Sequence, residues 1–329
     1  MTQLFMASPN RCIPLLFFFL LLFPLCFSDG EQNAAPTTDT ETETGMEAST
    51  TATATTTADI TYHHGCLLSG NVDLVFVWYG QFGRAQKNIL RTFVKSLNYN
   101  AAANLQPQVS EWWKIVESFQ EVAGKGNGRL NVRVVRQITD VNNSVGKALA
   151  MDTVKPLIQK AIAENPKAYP VIFTAKDVTM QGLCAGKCSL RGVYEKTPYI
   201  VVGNPEVQCP GACAWPFHKA DTGLVGMTLN PPNGNVGADA MVIAFAQGLV
   251  NLVTNPEESG FYQEKEKNKI EAGTACKGVF GKGAMAGYAG KIRIDPSTGG
   301  GFNAHGSGGK KFLLPAVWNP KTKACWTLM

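Results

Sequence analysis

Apolar positions along the chain alternate between strand-like and helix-like spacing. Residues 73–80 (DLVFVWYG) are apolar on both faces, which predicts a strand buried on both sides of a sheet. Residues 84–98 follow with apolar side chains at helical spacing, and residues 107–119 predict a second helix. The chain therefore begins its folded part with a strand and two helices.

The same alternation continues further along. A strand is predicted from Leu130, a helical pattern interrupted at Pro156 covers residues 145–165, and strands are predicted from Tyr169 and over residues 197–205. Strands that alternate with helices predict an α/β or α+β fold in which a mixed sheet is flanked by helices.

The longest apolar segment after the N-terminus covers residues 236–256. Its composition predicts a helix that runs through the interior and is stopped by Asn255 and Pro256. The remainder is rich in glycine and contains short strand patterns, so the C-terminal part is expected to be Gly-rich and disulfide-rich.

The first residues predict a secretory signal peptide over residues 1–28. Arg11 is followed by the apolar run from Ile13 to Phe27 and then by the small residue Ser28. This run has about 15 residues, whereas a membrane-spanning helix needs roughly 20. We expect no membrane span and a mature protein that is secreted to the extracellular space, the apoplast or the cell wall.

Residues 29–60 are rich in threonine, alanine and acidic residues, with almost no large apolar side chains. Such a segment cannot bury enough surface to offset the entropy of ordering, which predicts a disordered linker. Residues 61–329 are then expected to form a single domain.

Cysteine usage agrees with an oxidising destination. Seven cysteines follow the predicted signal peptide, and six of them are disulfide candidates: Cys184, Cys188, Cys209, Cys213, Cys276 and Cys325. Three residues separate the members of each of the first two pairs, whereas zinc ribbons more often have two, which favours disulfides over a thiolate metal site. One arrangement joins the two pairs to each other and Cys276 to Cys325, although spacing leaves the connectivity open. Cys66 is the cysteine left over.

Charge and motifs argue against several function classes. The net charge of +5 is spread out, without the basic stripe that nucleic-acid binding requires. No nucleotide-binding or nucleophile-elbow motif occurs, so we expect no cofactor, no metal and no catalytic residue. His218 has no second histidine nearby, and the carboxylates Asp140, Asp177, Asp239 and Glu271 are scattered and expected to be solvated.

Two short motifs have both a functional and a structural interpretation. Asn142-Asn143-Ser144 is an N-glycosylation sequon between a predicted strand and helix, although so short a motif also arises by chance. The pair Trp112-Trp113 could present one indole to a sugar ring, but adjacent helix residues face different directions, and core packing is the expected role of both.

Several longer strings resemble the EXORDIUM-like (phosphate-induced protein) family of plant secreted proteins. They are WYGQF at 78–82, EWWKIVESF at 111–119, QCPGACAWPFH at 208–218, CKGVFGKGAMAGYAG at 276–290 and KKFLLPAVWNP at 310–320. The resemblance implies a protein of the apoplast or cell wall that promotes or regulates cell growth. It supplies no catalytic residues. The Thr-rich linker, the charged EKEKNK segment and Cys66 depart from the family pattern.

A second segment resembles the active helix of a secreted zincin-type metalloprotease. In GLVNLVTNP followed by EAGTAC, the positions that would bind metal and supply the base fall on Gln247, Gly248 and Asn251. None of these residues is suitable, since zinc takes imidazole or carboxylate ligands and hydrolysis needs a general base. The resulting hypothesis is a degenerate zincin-like scaffold.

We therefore expect a non-enzymatic secreted protein that binds an unidentified cell-wall component or extracellular protein. The alternative is an extracellular hydrolase or modifying enzyme that acts on cell-wall polymer or protein, with a site assembled from residues distant in sequence.

Overall fold

The computed structural model describes residues 58–100, 104–126, 128–221, 226–265 and 268–328. The predicted signal peptide and residues 29–57 of the predicted linker lie outside these ranges. Ala58 and Ile60, which the composition assigns to the end of the linker, are buried in the main core. The folded chain therefore includes the last residues of the predicted linker.

The helices are α1 (Arg84–Leu97), α2 (Val109–Val122), α3 (Lys155–Ile162), α4 (Pro205–Gln208), α5 (Pro210–Cys213) and α6 (Val236–Thr254), with a 3₁₀ turn at Ser307–Gly309. The strands are β1 (Thr61–Tyr62), β2 (Gly70–Tyr79), β3 (Leu130–Asp140), β4 (Ala148–Leu149), β5 (Tyr169–Thr174), β6 (Thr179–Met180), β7 (Ser189–Tyr194), β8 (Thr197–Val202), β9 (Phe261–Lys265), β10 (Asn268–Glu271), β11 (Arg293–Ile294), β12 (Gly301–Phe302), β13 (Ala304–His305), β14 (Lys311–Phe312), β15 (Val317–Asn319) and β16 (Ala324–Trp326).

The main sheet has five strands in the order β3-β2-β5-β8-β7. Neighbours among β3, β2, β5 and β8 are parallel, and β7 runs antiparallel to β8 at the edge. The predicted mixed sheet flanked by helices is confirmed. Because parallel strands end on the same side, the segments that follow β2, β3, β5 and β8 share one rim of the sheet, called the carboxyl edge below.

Strand β2 explains why its sequence is apolar at nearly every position. Leu74, Phe76 and Trp78 pack into the core shared with α1, α2 and α6, whereas Val75 and Val77 pack into the core shared with α3. Successive side chains of a strand point to opposite faces, so a strand covered on both sides needs apolar residues throughout.

Helix α6 packs against the sheet through Phe245. This ring makes edge-on contacts with Phe76 of β2 and Phe173 of β5, at centroid distances of 5.6 and 5.3 Å, and with Phe93 of α1 at 5.7 Å. Edge-to-face aromatic pairs contribute about 0.5–1.5 kcal/mol beyond their buried area. The side-chain oxygen of Asn235 caps the helix by accepting from the Ala238 N–H at 2.8 Å.

Helix α6 has the length and apolar character of a membrane-spanning helix. The most apolar stretch of this helix has a mean hydropathy of 1.6, and 89% of it is buried within the fold. Packing between the sheet and α1 accounts for this apolar composition, since a helix that is hydrophobic all round is characteristic of a protein core as well as of a membrane span.

The helical pattern predicted over residues 145–165 is split in the structure. Strand β4 occupies its first part and pairs with β6, and α3 begins only at Lys155. Pro156 lies in the first turn of α3. Proline is tolerated there because the first helical N–H groups have no partner within the helix. Pro156 therefore begins a helix where the sequence suggested an interruption.

Candidate functional site

Two disulfides cross-link the segments at the carboxyl edge beside β7. Cys184 bonds to Cys209 and Cys188 bonds to Cys213, with Cα atoms 5.7 and 5.4 Å apart. The first cysteine of each bond precedes β7, and the second lies beside the short helices after β8. The two bonds therefore fix the start of β7 to the segment that leaves β8. The recess between them encloses about 210 Å³ of space, part of which is open to solvent.

The third disulfide joins Cys276, after β10, to Cys325 in β16. The six cysteines are thus paired as in the arrangement that joins the two clusters to each other. Cys66 also has a bonded partner, which does not agree with its interpretation as the cysteine left over. The expectation that this chain carries disulfide bonds is confirmed.

The positions that the zincin resemblance singled out lie on α6. Asn251 is 5% exposed, and its side-chain oxygen accepts from the Gly273 N–H at 2.8 Å. Gly248 is buried so closely against β8 that an added Cβ would lie 3.0 Å from the Ile200 methyl carbon. Gln247 is partly exposed. Asn251 therefore has a structural role in holding the 271–276 turn against the helix.

The described residues include no group of three or more His, Cys, Asp or Glu side chains that could hold a metal. His218 is exposed, and its ring Nδ1 lies 2.9 Å from the Lys219 carbonyl oxygen. His63 stacks on Tyr262, with centroids 3.7 Å apart. His305 packs edge-on against Phe302, and burial, aided by Lys311, lowers its pKa. These three histidines belong to separate segments of the chain.

A buried ion pair supports the inner face of β7. Arg191 of β7 donates to the Glu271 carboxylate at 2.5 Å and to the Pro256 carbonyl oxygen at 3.0 Å. Asn255 donates to the same carboxylate oxygen of Glu271 at 2.6 Å. The side chains of Arg191 and Glu271 are only 9% and 16% exposed. This network attaches the edge strand to the end of α6.

Three of the four carboxylates expected to be solvated are wholly or largely buried. Besides Glu271, Asp239 is 2% exposed and Asp140 is 7% exposed. Asp239 accepts from the Asn233 side chain at 2.6 Å and from its N–H at 3.0 Å, and burial raises the pKa of Asp239 to about 6. Only Asp177, paired with Lys147, is well exposed. Asn233 and Asn235 lie in the turn just before α6. Their nearness in sequence to Asp239 is the one signal that could have indicated its hydrogen-bond partners.

The two remaining candidates have clear positions. Trp112 and Trp113 are both buried, and their indole N–H groups donate to the carbonyl oxygens of Pro315 and Leu130 at 2.8 and 3.1 Å. Neither indole is therefore presented to a sugar. Asn142 is exposed in the turn after β3.

Comparison with known proteins places these features in a family. The family model described as "Phosphate-induced protein 1 conserved region" matches residues 60–328. Protein EXORDIUM-like 6 of Arabidopsis thaliana is 42% identical over 297 residues, which cover 79% of this chain and 90% of the relative. No solved structure matches the chain significantly.

Two further relatives agree. Protein EXORDIUM of Arabidopsis thaliana is 40% identical, with 82% of this chain and 89% of the relative covered. Protein PHOSPHATE-INDUCED 1 of Nicotiana tabacum is 38% identical, with 82% and 88% covered. The resemblance carried by the sequence strings is thereby confirmed, and the chain belongs to the EXORDIUM-like (phosphate-induced protein) family.

Proposed function

We propose that this chain is a secreted protein of the plant cell wall that regulates cell growth by binding an extracellular partner, and that it is not a hydrolase. Family membership supports a role in plants, and the three disulfides described above are compatible with an oxidising, extracellular destination. The predicted signal peptide supports the same destination.

Binding is favoured over hydrolysis by one observation, the identity and contacts of the α6 residues at the metalloprotease positions. At the positions that would serve a metal hydrolase, Asn251 already accepts a backbone hydrogen bond and Gly248 has no side chain. An amide is a poor general base, and zinc sites require imidazole, thiolate or carboxylate ligands. The helix therefore supports the sheet and does not supply a catalytic group.

The binding surface that we propose is the outer edge of β7. Five residues of β7 are partly exposed and Val193 is exposed, and the only strand partner of β7 in the described chain is β8. An edge strand with unpaired backbone groups can accept an extended polypeptide as an additional strand. The two disulfides and the Arg191–Glu271 pair hold β7 in place, which reduces the entropy lost on binding.

The opposite edge, β3, provides a contrast. It carries ion pairs between Arg133 and Asp73 and between Arg136 and Glu164, and its pairing with β2 is irregular beside Val135. Charges and bulges are features by which proteins discourage strand addition. The only charged side chain of β7, that of Arg191, is directed inward to Glu271.

A matched pair of substitutions tests this function. Val193 of β7 and Val135 of β3 are each 43% exposed, so we expect a lysine at either position to cost the fold little stability. The secreted protein and both variants are compared for retention on isolated plant cell walls, for cross-linking to apoplastic proteins, and for restoration of growth in plants that lack the protein. We expect Val193→Lys to lose binding and growth activity and Val135→Lys to retain both.

Equal behaviour of the two variants would contradict the β7 surface. In parallel, the purified protein is assayed for hydrolysis of wall glycans and wall proteins with and without added zinc. Clear turnover would overturn the non-enzymatic proposal and favour the hydrolase.

A further inference from the structure

The turn after β3 holds the sequon in an anchored loop. The carboxylate of Asp140 accepts from the N–H of Ser144 at 3.1 Å and from its hydroxyl at 2.5 Å. The hydroxyl of Tyr79 accepts from the Val145 N–H at 3.0 Å and donates to the Gly146 carbonyl oxygen at 2.6 Å. Residues 144–146 of the loop are therefore fixed to the sheet by two side chains, those of Tyr79 and Asp140, that are themselves buried.

Asn142 lies at the tip of this loop and is exposed. Its side-chain amide makes no hydrogen bond within the described part of the chain. Asn143, by contrast, is partly buried, with its side-chain oxygen enclosed beside Gly80. Of the two adjacent asparagines, the one in the acceptor position of the sequon is the one whose side chain points away from the fold.

We infer that Asn142 carries an N-linked glycan at the carboxyl edge of the sheet. The inference rests on the proposed secretion, since the donor is a lipid-diphosphate-linked oligosaccharide of the secretory pathway. In the transfer, the amide nitrogen of Asn142 forms a bond to C1 of the first sugar as the bond between C1 and the diphosphate oxygen breaks. The amide loses one proton, and the lipid diphosphate is the leaving group.

The position of Asn142 determines what this glycan covers. It follows β3, at one end of the strand order, whereas the β7 edge lies at the other end. Four inter-strand steps of about 4.8 Å separate β3 from β7 by about 19 Å. The glycan is therefore attached on the β3 side of the carboxyl edge, about 19 Å from the proposed binding edge.

The test uses the full chain expressed in plant cells, once with its own N-terminus and once behind a heterologous secretory signal. Protein from the medium is treated with peptide-N-glycosidase A and compared with untreated protein by gel mobility and peptide mass. We expect a mobility shift on treatment and conversion of Asn142 to aspartate. Asn142→Gln is expected to abolish the shift, whereas Asn143→Gln and Ser144→Thr, which preserve the sequon, are expected to retain it.

Folding controls accompany these variants. The side chain of Asn142 is exposed and makes no hydrogen bond in the described chain. We therefore expect Asn142→Gln to unfold at the same urea concentration as the enzymatically deglycosylated wild type. An unmodified Asn142 in protein recovered from the medium in the heterologous-signal arm would overturn the glycan. Failure of the native chain alone to reach the medium would count against the proposed secretion and leave the glycan result of the second arm standing.

Discussion

The side-chain oxygen of Asn251 accepts a hydrogen bond from the backbone N–H of Gly273 at 2.8 Å. This bond joins the buried helix α6 to the turn that follows β10. The turn also contains Cys276, which leads to the third disulfide. Asn251, which lies where a zincin-type metalloprotease helix would carry a metal ligand, thus stabilises the packing of α6 against the turn after β10.

Replacing Asn251 with alanine is expected to lower the free energy of unfolding by about 1–3 kcal/mol, since the buried N–H of Gly273 loses its acceptor. Urea denaturation followed by tryptophan fluorescence measures this change. Gln247→Ala is the control, because Gln247 lies on the same helix, is partly exposed and makes no side-chain hydrogen bond in the described chain. A loss for Asn251→Ala no larger than that for Gln247→Ala would contradict the structural role.

Removing one partner of the buried Arg191–Glu271 pair is expected to lower the free energy of unfolding strongly. Glu271→Ala leaves the Arg191 guanidinium buried without its carboxylate, and we expect a loss of about 3–5 kcal/mol. Asp177→Ala breaks the exposed pair with Lys147, whose side chains are 49% and 61% exposed, and should cost less than about 1 kcal/mol. Similar unfolding midpoints in urea for the two variants would show that the buried network does not stabilise β7.

The disulfides are expected to rank by the length of chain that they close. The bonds Cys184–Cys209 and Cys188–Cys213 each span 25 residues, and Cys276–Cys325 spans 49. In the chain-entropy treatment, loss of the longer loop costs about 4 kcal/mol. Loss of one shorter bond costs less than the about 3.5 kcal/mol of an isolated 25-residue loop, because the other bond still closes nearly the same segment. Double Cys→Ser variants, compared by urea unfolding, check both values. Stability unchanged after removal of Cys276–Cys325 would contradict the prediction.

Asp239 is expected to make the fold more stable in acid. Burial raises its pKa in the folded state to about 6 from an ordinary value of 3.8, despite the opposing hydrogen bonds from Asn233 and Asn235 and the charge of Lys310. Its contribution is therefore fully present below pH 3.8 and is lost as the pH rises through 6. Urea midpoints at several pH values, for the wild type and Asp239→Asn, measure this contribution as a difference. The wild type should lose stability between pH 4 and 6 through Asp239, and Asp239→Asn should lack this loss of stability. Identical dependence of the urea midpoint on pH in the two proteins would contradict the prediction.

The local pattern of the sequence was sufficient for the principal elements. The helices predicted over residues 84–98 and 236–256 match α1 and α6 to within two residues at each end. They could be predicted because helical spacing of apolar residues and a terminal Asn-Pro are local signals. The apolar character of β2 on both faces correctly indicated a sheet covered on both sides. The family strings and the disulfide candidates likewise depend only on residue identity and spacing.

Only the tertiary structure decided the roles of the polar residues. Nothing in the sequence around Asp239 and Glu271 distinguishes them from exposed carboxylates. The burial of Glu271, for example, depends on Arg191, which comes from a distant segment of the chain. The acceptor role of Asn251 depends on a turn 22 residues away. Sequence determined which segments could form helices and strands, since that preference is set by neighbouring residues, whereas burial and pairing arise from contacts that exist only once the chain has folded.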